Sequence, residues 1–146
     1  MLINYFFSII ILGGIKLKKE EYLKKIDSLN LDKEKYCIIS GGVLLLYGIK
    51  DKTEDIDIKV LPDYFDELNK KYHFNKSPKY DYLYELGDDI ELAKLPFSKE
   101  DIIYVDGYPV ESLEKQLEWM EKNKREKDKD KIEKIKVYLR KKNTNE

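Results

Sequence analysis

The chain is poor in the residues that most often announce a chemistry. Among 146 residues there are 1 Cys, 1 His and 4 Pro. A lone cysteine closes no internal disulfide, and one Cys with one His offers no zinc-binding spacing. Cys37 stands among Tyr36, Ile38 and Ile39, so it reads as a buried, inert thiol in a reducing, cytoplasmic setting. His73, the only histidine, is expected at a loop or strand edge. Arginine is confined to Arg125 and Arg140, and alanine to Ala93. Neither sign of charge prevails: 28 Lys and Arg stand against 29 Asp and Glu, a formal net charge of -1. No global field therefore draws nucleic acid, and any basic site must be local. Internal repeats and low-complexity linkers are absent as well. What remains is a 17.4 kDa chain with 42% hydrophobic residues and 12 Tyr, enough for one domain with one core.

Long apolar runs are also missing, with one partial exception. Leu2 to Ile15 is strongly apolar, yet shorter than the ~18–20 residues of a spanning helix. It has no preceding positive charge and no small-residue cleavage site after it, so it does not read as a signal peptide. Residues 1–17 are treated as an apolar N-terminal extension. It is an extra strand or short helix, a partner-binding or weakly membrane-anchoring tail, or upstream sequence included by a wrongly chosen start codon. Stable membrane insertion is not expected, and residues 18–146 form the domain proper.

Within that domain, Tyr22, Leu23, Ile26 and Leu29 recur at helical spacing from Lys18 to Leu29. Tyr36 to Ser40 reads as a short buried strand, and Gly41-Gly42 turns the chain into an apolar helix from Val43 to Tyr47. A polar loop leads to a second strand, Asp55 to Val60. Pro62 suits the first turn of the next helix, whose inward stripe is Tyr64, Phe65, Leu68 and Tyr72. Tyr80, Tyr82 and Tyr84 then alternate as in a strand, and Ile90-Glu91-Leu92 starts the returning one. Asp106-Gly107 suits a type I′ turn between Ile102–Val105 and Tyr108–Val110. Ser112 caps a helix carrying Leu113, Leu117 and Met120, and a last helix runs from about Asp128 to Leu139. The expected fold is α/β (α+β), a small mixed sheet with flanking helices in one domain.

Thr53-Glu54-Asp55-Ile56-Asp57-Ile58 is the stretch that points to chemistry. Side chains two apart on a strand share a face, so Asp55 and Asp57 point together while Ile56, Ile58 and Val60 point to the core. Neighbouring carboxylates repel unless a cation sits between them. Oxygen-only ligation suits magnesium or manganese.

The order of pieces, namely buried strand, Ser40-Gly41-Gly42, helix, threonine loop and Asp-x-Asp strand, resembles the polymerase-beta-type nucleotidyltransferase superfamily. It is most similar to the minimal members related to abortive-infection toxins and to antitoxins paired with small helical ribonucleases. The resemblance spans about Leu31 to Leu139 and implies a nucleotidyltransferase-like fold. It also implies that Ser40, Gly41 and Gly42 open a helix against nucleotide phosphates and that Asp55 and Asp57 bind two magnesium ions. A third carboxylate is implied on a later strand; Glu91 is the choice and Asp89 the alternative. The tail, Arg125-Glu126-Lys127-Asp128, resembles the Arg-x-Lys-Asp signature of these small enzymes. It departs from their pattern at Lys131-Ile132, where Asp-Ile is usual, and at Met120, where a lysine is typical. Arg125 and Lys127 become candidate phosphate clamps, and Thr53 a candidate nucleotide contact, although a turn hydroxyl explains Thr53 equally.

The implied activity is magnesium- or manganese-dependent transfer of a nucleoside monophosphate from an NTP to a hydroxyl. The acceptor is a tRNA end, a protein or a small molecule, and a toxin–antitoxin setting with a protein partner is implied. The competing expectation keeps the fold without catalysis, as a binding or scaffolding module for a protein or RNA. Two features stay open: the Tyr80/Tyr82/Tyr84 row as sheet packing or a base-stacking platform, and the basic run from Lys122 to Lys142 as a solvated face or a phosphate rest.

Overall fold

A computed structural model describes residues 16–144; most of the apolar N-terminal segment lies outside the described residues. Leu17 and Lys18 (β1) pair antiparallel with Lys52 and Thr53 (β3), and Leu17 is buried against the core. Helix α1 (Lys19–Ser28) follows, with Tyr22 and Ile26 inward.

Seven strands make one mixed sheet: β2 (Tyr36–Ile38), β4 (Ile56–Val60), β5 (Asn75–Lys76), β6 (Leu83–Leu86), β7 (Ile90–Lys94), β8 (Ile102–Val105) and β9 (Tyr108–Glu111). Their spatial order is β5-β6-β7-β4-β2-β9-β8. The two parallel contacts, β4 with β7 and β2 with β9, lie near the middle, and the hairpins run outward from them. Helices α2 (Gly41–Leu46), α3 (Pro62–Tyr72), α4 (Leu113–Asn123) and α5 (Lys129–Thr144) complete the chain. The architecture is the expected α/β domain, a mixed sheet with flanking helices.

Alternation decides which face of the sheet is dry. In β4, Ile56, Ile58 and Val60 are fully buried, while Asp57 and Lys59 between them are only partly covered. The dry face packs on Tyr22, Ile26, Phe65 and Leu68 of α1 and α3. Local signals behave as their chemistry dictates. Asp106 and Gly107 both take positive φ, 52° and 85°, as a type I′ turn requires. The Ser112 hydroxyl accepts from the Lys115 N–H at 3.2 Å, and Pro62 opens α3. His73 ends α3 in the left-handed region. Cys37 is buried and its thiol is pushed up to about 12, mainly by burial.

One strand is shorter than its alternation predicts. Tyr80 and Tyr82 lie ahead of β6 in a tight loop, closed by the Ser77 N–H donating to Leu83 at 2.9 Å and the Leu83 N–H to Tyr80 at 3.2 Å. The Tyr80 carbonyl is thus taken within the loop, while the Tyr82 carbonyl keeps one bond across the sheet, accepting from the Lys94 N–H at 2.8 Å. Tyr84, inside the strand, packs on Phe65 with ring centroids 4.5 Å apart.

Gly41 and Gly42 are not merely a bend before a helix; they are its first two residues. A Cβ on Gly41 would stand 2.5 Å from Thr53 Oγ1, and one on Gly42 would stand 2.1 Å from Tyr22 Oη and 2.6 Å from Ile38 Cγ2. Thr53 and Tyr22 thus form the walls on which the turn rests. Gly42→Ala is expected to cost ~1–3 kcal/mol through overpacking. Tyr22→Phe removes a buried hydroxyl that has no partner among the described residues, so it should be neutral or stabilising and should recover part of the Gly42→Ala loss, the rest staying with Ile38 Cγ2 at 2.6 Å and the ring Cζ at 2.7 Å. Urea denaturation of the two single variants and the double variant checks this. An alanine variant as stable as the parent would contradict the packing account.

Candidate active site

The wet face of the sheet opens into a cleft of about 890 Å³. Its floor carries Asp57 and Glu91, which the parallel β4–β7 ladder sets directly opposite each other. Asp55 stands two residues ahead of Asp57, just before β4 begins, and also lines the cleft. The three carboxylates act on one another. Burial, then the charge of Glu91, then that of Asp55 push the Asp57 carboxyl up to about 7. Burial and then Glu91 raise Asp55 above its ordinary range.

Register separates Glu91 from Asp89. Glu91 faces Asp57, and the Lys79 ammonium stands 3.4 Å from its Oε1. Asp89 forms an ion pair with Lys25 of α1, while its carbonyl accepts from the Ile56 N–H at 2.8 Å. It serves as a tie between α1 and the sheet.

Among the described residues no three carboxylate, imidazole or thiol groups converge as a preformed metal cage. The donor set nevertheless fits a hard divalent cation. Asp55, Asp57 and Glu91 offer oxygen only and repel one another, with the Lys79 ammonium against Glu91 and the charges of Lys131 and Lys79 offsetting Asp57 only in part.

The opposite wall is Ser40 and Gly41; Gly42, expected at the phosphates, is instead buried behind them against Tyr22 and Ile38 and does not line the cleft. Ser40 holds φ 58° and ψ -133°, a conformation that costs a non-glycine residue on the order of 1–3 kcal/mol and persists only when its surroundings impose it. The imposing groups are a chain of polar contacts. The Ser40 N–H donates to Gln116 Oε1 at 3.0 Å, Gln116 Nε2 donates to Glu111 Oε1 at 2.7 Å, and Lys59 Nζ donates to Glu111 Oε2 at 2.6 Å. Gln116 and Glu111 are buried. As the first residues of a helix, Gly41 and Gly42 have N–H groups with no intrahelical partner. Sequence reasoning missed Lys59, Glu111 and Gln116, because only the fold brings three strands and α4 to one point.

A basic and aromatic rim completes the cleft. Arg125 and Lys127 both line it, together with Lys50, Lys131 and Trp119. Arg125 binds the fully buried Asp128 through two contacts, Nε at 2.7 Å and one Nη at 3.2 Å, and its guanidinium lies 4.7 Å from the Trp119 ring centre. The Arg-x-Lys-Asp pattern therefore builds a brace, which Lys131 joins at 3.8 Å from Asp128 Oδ1, leaving Lys127 as the less committed cation. Burial first, and then the charge of Lys131, lower the Lys50 ammonium below its ordinary value. That crowding of like charge favours an anion between them. Thr53 lines the cleft but is mostly spent on packing against Gly41.

No family model and no curated protein matches the chain. Among solved structures, it is similar to a provisionally named nucleotidyltransferase from Thermotoga maritima. The TM-score is 0.59 and the identity 18%, over 86% of this chain and 96% of that one. A likeness at that identity establishes a nucleotidyltransferase-like fold and leaves the activity to be argued from the cleft. Among the described residues no helix is long and apolar enough to cross a membrane.

A carboxyl whose pKa rises on folding is best tolerated when protonated. Asp57 moves from 3.8 to about 7, so the folded chain holds more protons than the unfolded chain between those values. Stability should fall as pH climbs from about 4 to 7, by on the order of 2 kcal/mol after solvent screening, and then level off. Asp57→Asn should flatten that slope and exceed the parent at pH 8. Denaturant titrations across this range provide the measurement, and a parent stability that rises between pH 4 and 7 while the variant follows it would contradict the site electrostatics.

Proposed function

We propose that the chain is a nucleotidyltransferase, moving a nucleoside monophosphate from an NTP to a hydroxyl acceptor and releasing pyrophosphate. The observation that supports this best is the placement of Asp57 against Glu91, with Asp55 adjacent, across one cleft from a glycine turn and a lysine rim. Asp55, Asp57 and Glu91 would hold magnesium or manganese, which supplies charge neutralisation at the transferring phosphate and lowers the pKa of the acceptor hydroxyl. The chain's own residues do the positioning. The Gly41 N–H, at the cleft wall, would bind a phosphate of the NTP, while the missing Cβ of Gly41 and Gly42 lets the turn seat against Thr53, Tyr22 and Ile38 behind it. Lys127 and Lys131 offset the charge that gathers on the departing pyrophosphate, with Arg125 held beside them by Asp128. The Gln116–Glu111–Lys59 chain keeps the turn in its strained form, so little reorganisation is left for the reaction itself. A cytoplasmic location and a toxin–antitoxin role with a protein partner belong to the same proposal.

One observation favours the competing reading of a non-catalytic binding module: the three carboxylates do not converge among the described residues. Incubation with each labelled NTP, Mg²⁺, and total RNA or lysate protein separates the two. The transferase reading expects labelled acceptor, with the rate reduced on the order of a thousandfold in the Asp55→Asn, Asp57→Asn double variant. It also expects Mg²⁺ with one NTP to raise the thermal midpoint of the parent and leave that of the double variant unmoved. Undiminished label transfer by the double variant, or no transfer with any NTP and acceptor, would reject it.

A further inference from the structure

We propose that Tyr80 and Tyr82 form the acceptor subsite and that it takes the 3′-terminal base of a single-stranded RNA. The proposal rests on the nucleotidyl-transfer reading above. The two rings are stacked on each other, with centroids 5.4 Å apart and planes 14° from parallel, and both line the cleft. Tyr80 is 50% exposed, so this pair does not serve the core as Tyr84 does against Phe65. Their position outside β6, the departure from simple alternation, is what turns them toward the cleft.

Strand order states which reactant they meet. Across the sheet run β6, β7, β4 and β2. The phosphate turn lies at the end of β2, Asp57 on β4, Glu91 on β7, and the tyrosines just ahead of β6. Displacement at phosphorus needs the attacking and leaving oxygens in line. With pyrophosphate on the turn, the acceptor hydroxyl comes from the β7–β6 side, where Lys79 joins the tyrosine loop to Glu91 at 3.4 Å. Trp119 is one helical turn from Gln116 on the same face of α4, so it belongs to the turn side, and Arg125 already covers its ring.

A flat pair of rings beside lysines matches a base attached to phosphates. Base–aromatic stacking tolerates any sequence, and the exposed Lys79 ammonium beside the tyrosine loop favours an acceptor that carries phosphate. A protein hydroxyl would bring no base for the rings and no phosphate for Lys79.

Binding can be read without any turnover, by fluorescence anisotropy of a labelled short RNA in the absence of NTP. Tyr80→Ala and Tyr82→Ala should each weaken binding of the intact RNA roughly ten- to a hundredfold. An otherwise identical RNA with an abasic 3′-terminal nucleotide should bind the parent as weakly, and this comparison needs no variant. Tyr80→Phe should recover the affinity lost in Tyr80→Ala. In the transfer assay the alanine variants should raise the KM for RNA with kcat within about twofold, while the thermal gain from Mg²⁺ and NTP stays at the parent value. Equal affinity for intact and abasic RNA, alanine variants that bind like the parent, or a tyrosine-bearing peptide that displaces RNA would each overturn the proposal. RNA transfer that proceeds with no sensitivity to either tyrosine would sink the subsite and leave the transferase standing. Tyrosine-dependent RNA binding with no transfer to any acceptor would sink the transferase and leave only a base-stacking surface.

Discussion

Two carboxylates held face to face by a parallel ladder, with too little positive charge to satisfy them, are the constraint around which this chain is organised. Register alone brings Asp57 and Glu91 together, since the β4–β7 pairing runs from Ile56 opposite Ile90 to Val60 opposite Lys94. The same pairing buries Ile56, Ile58 and Leu92 on the other face. A one-residue slip would bury the acids and expose the isoleucines. The hydrophobic core therefore enforces the electrostatic conflict, and the rise of Asp57 to about 7 is its visible consequence.

A second device opposes the first across the cleft. Ser40 is kept at positive φ by Gln116, Gln116 is oriented by Glu111, and Glu111 is neutralised by Lys59. Each partner is itself largely withdrawn from water, so losing one leaves another unsatisfied. This network holds the backbone of the Ser40 turn in place, whereas the carboxylates across the cleft repel one another. The division fits a site that takes a metal–phosphate complex as one ligand.

Features written in short-range pattern were legible in the amino-acid sequence. The Asp-Ile-Asp-Ile alternation marks the wet and dry faces of β4, Asp106-Gly107 marks its hairpin, and Ser112 and Pro62 mark two helix starts. Features that depend on register or distant packing were not. Glu91 and Asp89 share a parity, and only the Lys25 ion pair and the β4–β7 pairing tell them apart. Tyr80 and Tyr82 continue the alternation of Tyr84, yet the Leu83 N–H turns back to the Tyr80 carbonyl and only the Tyr82 carbonyl still bonds β7, through the Lys94 N–H. Arg125 carries a recognisable motif, but its partner Asp128 and its cover on Trp119 show the motif working partly as a brace. Gln116 gave no local signal at all, because its importance arises from Ser40 and Glu111, which lie far away or on another element.

The most direct test of this account is the position of a bound metal. Crystals grown with Mn²⁺ and a non-hydrolysable NTP analogue would locate the ion by its anomalous scattering. The account predicts a peak coordinated by Asp55, Asp57 and Glu91, with the triphosphate against Ser40–Gly42. Manganese bound elsewhere, or a nucleotide seated away from both the carboxylates and the turn, would contradict it.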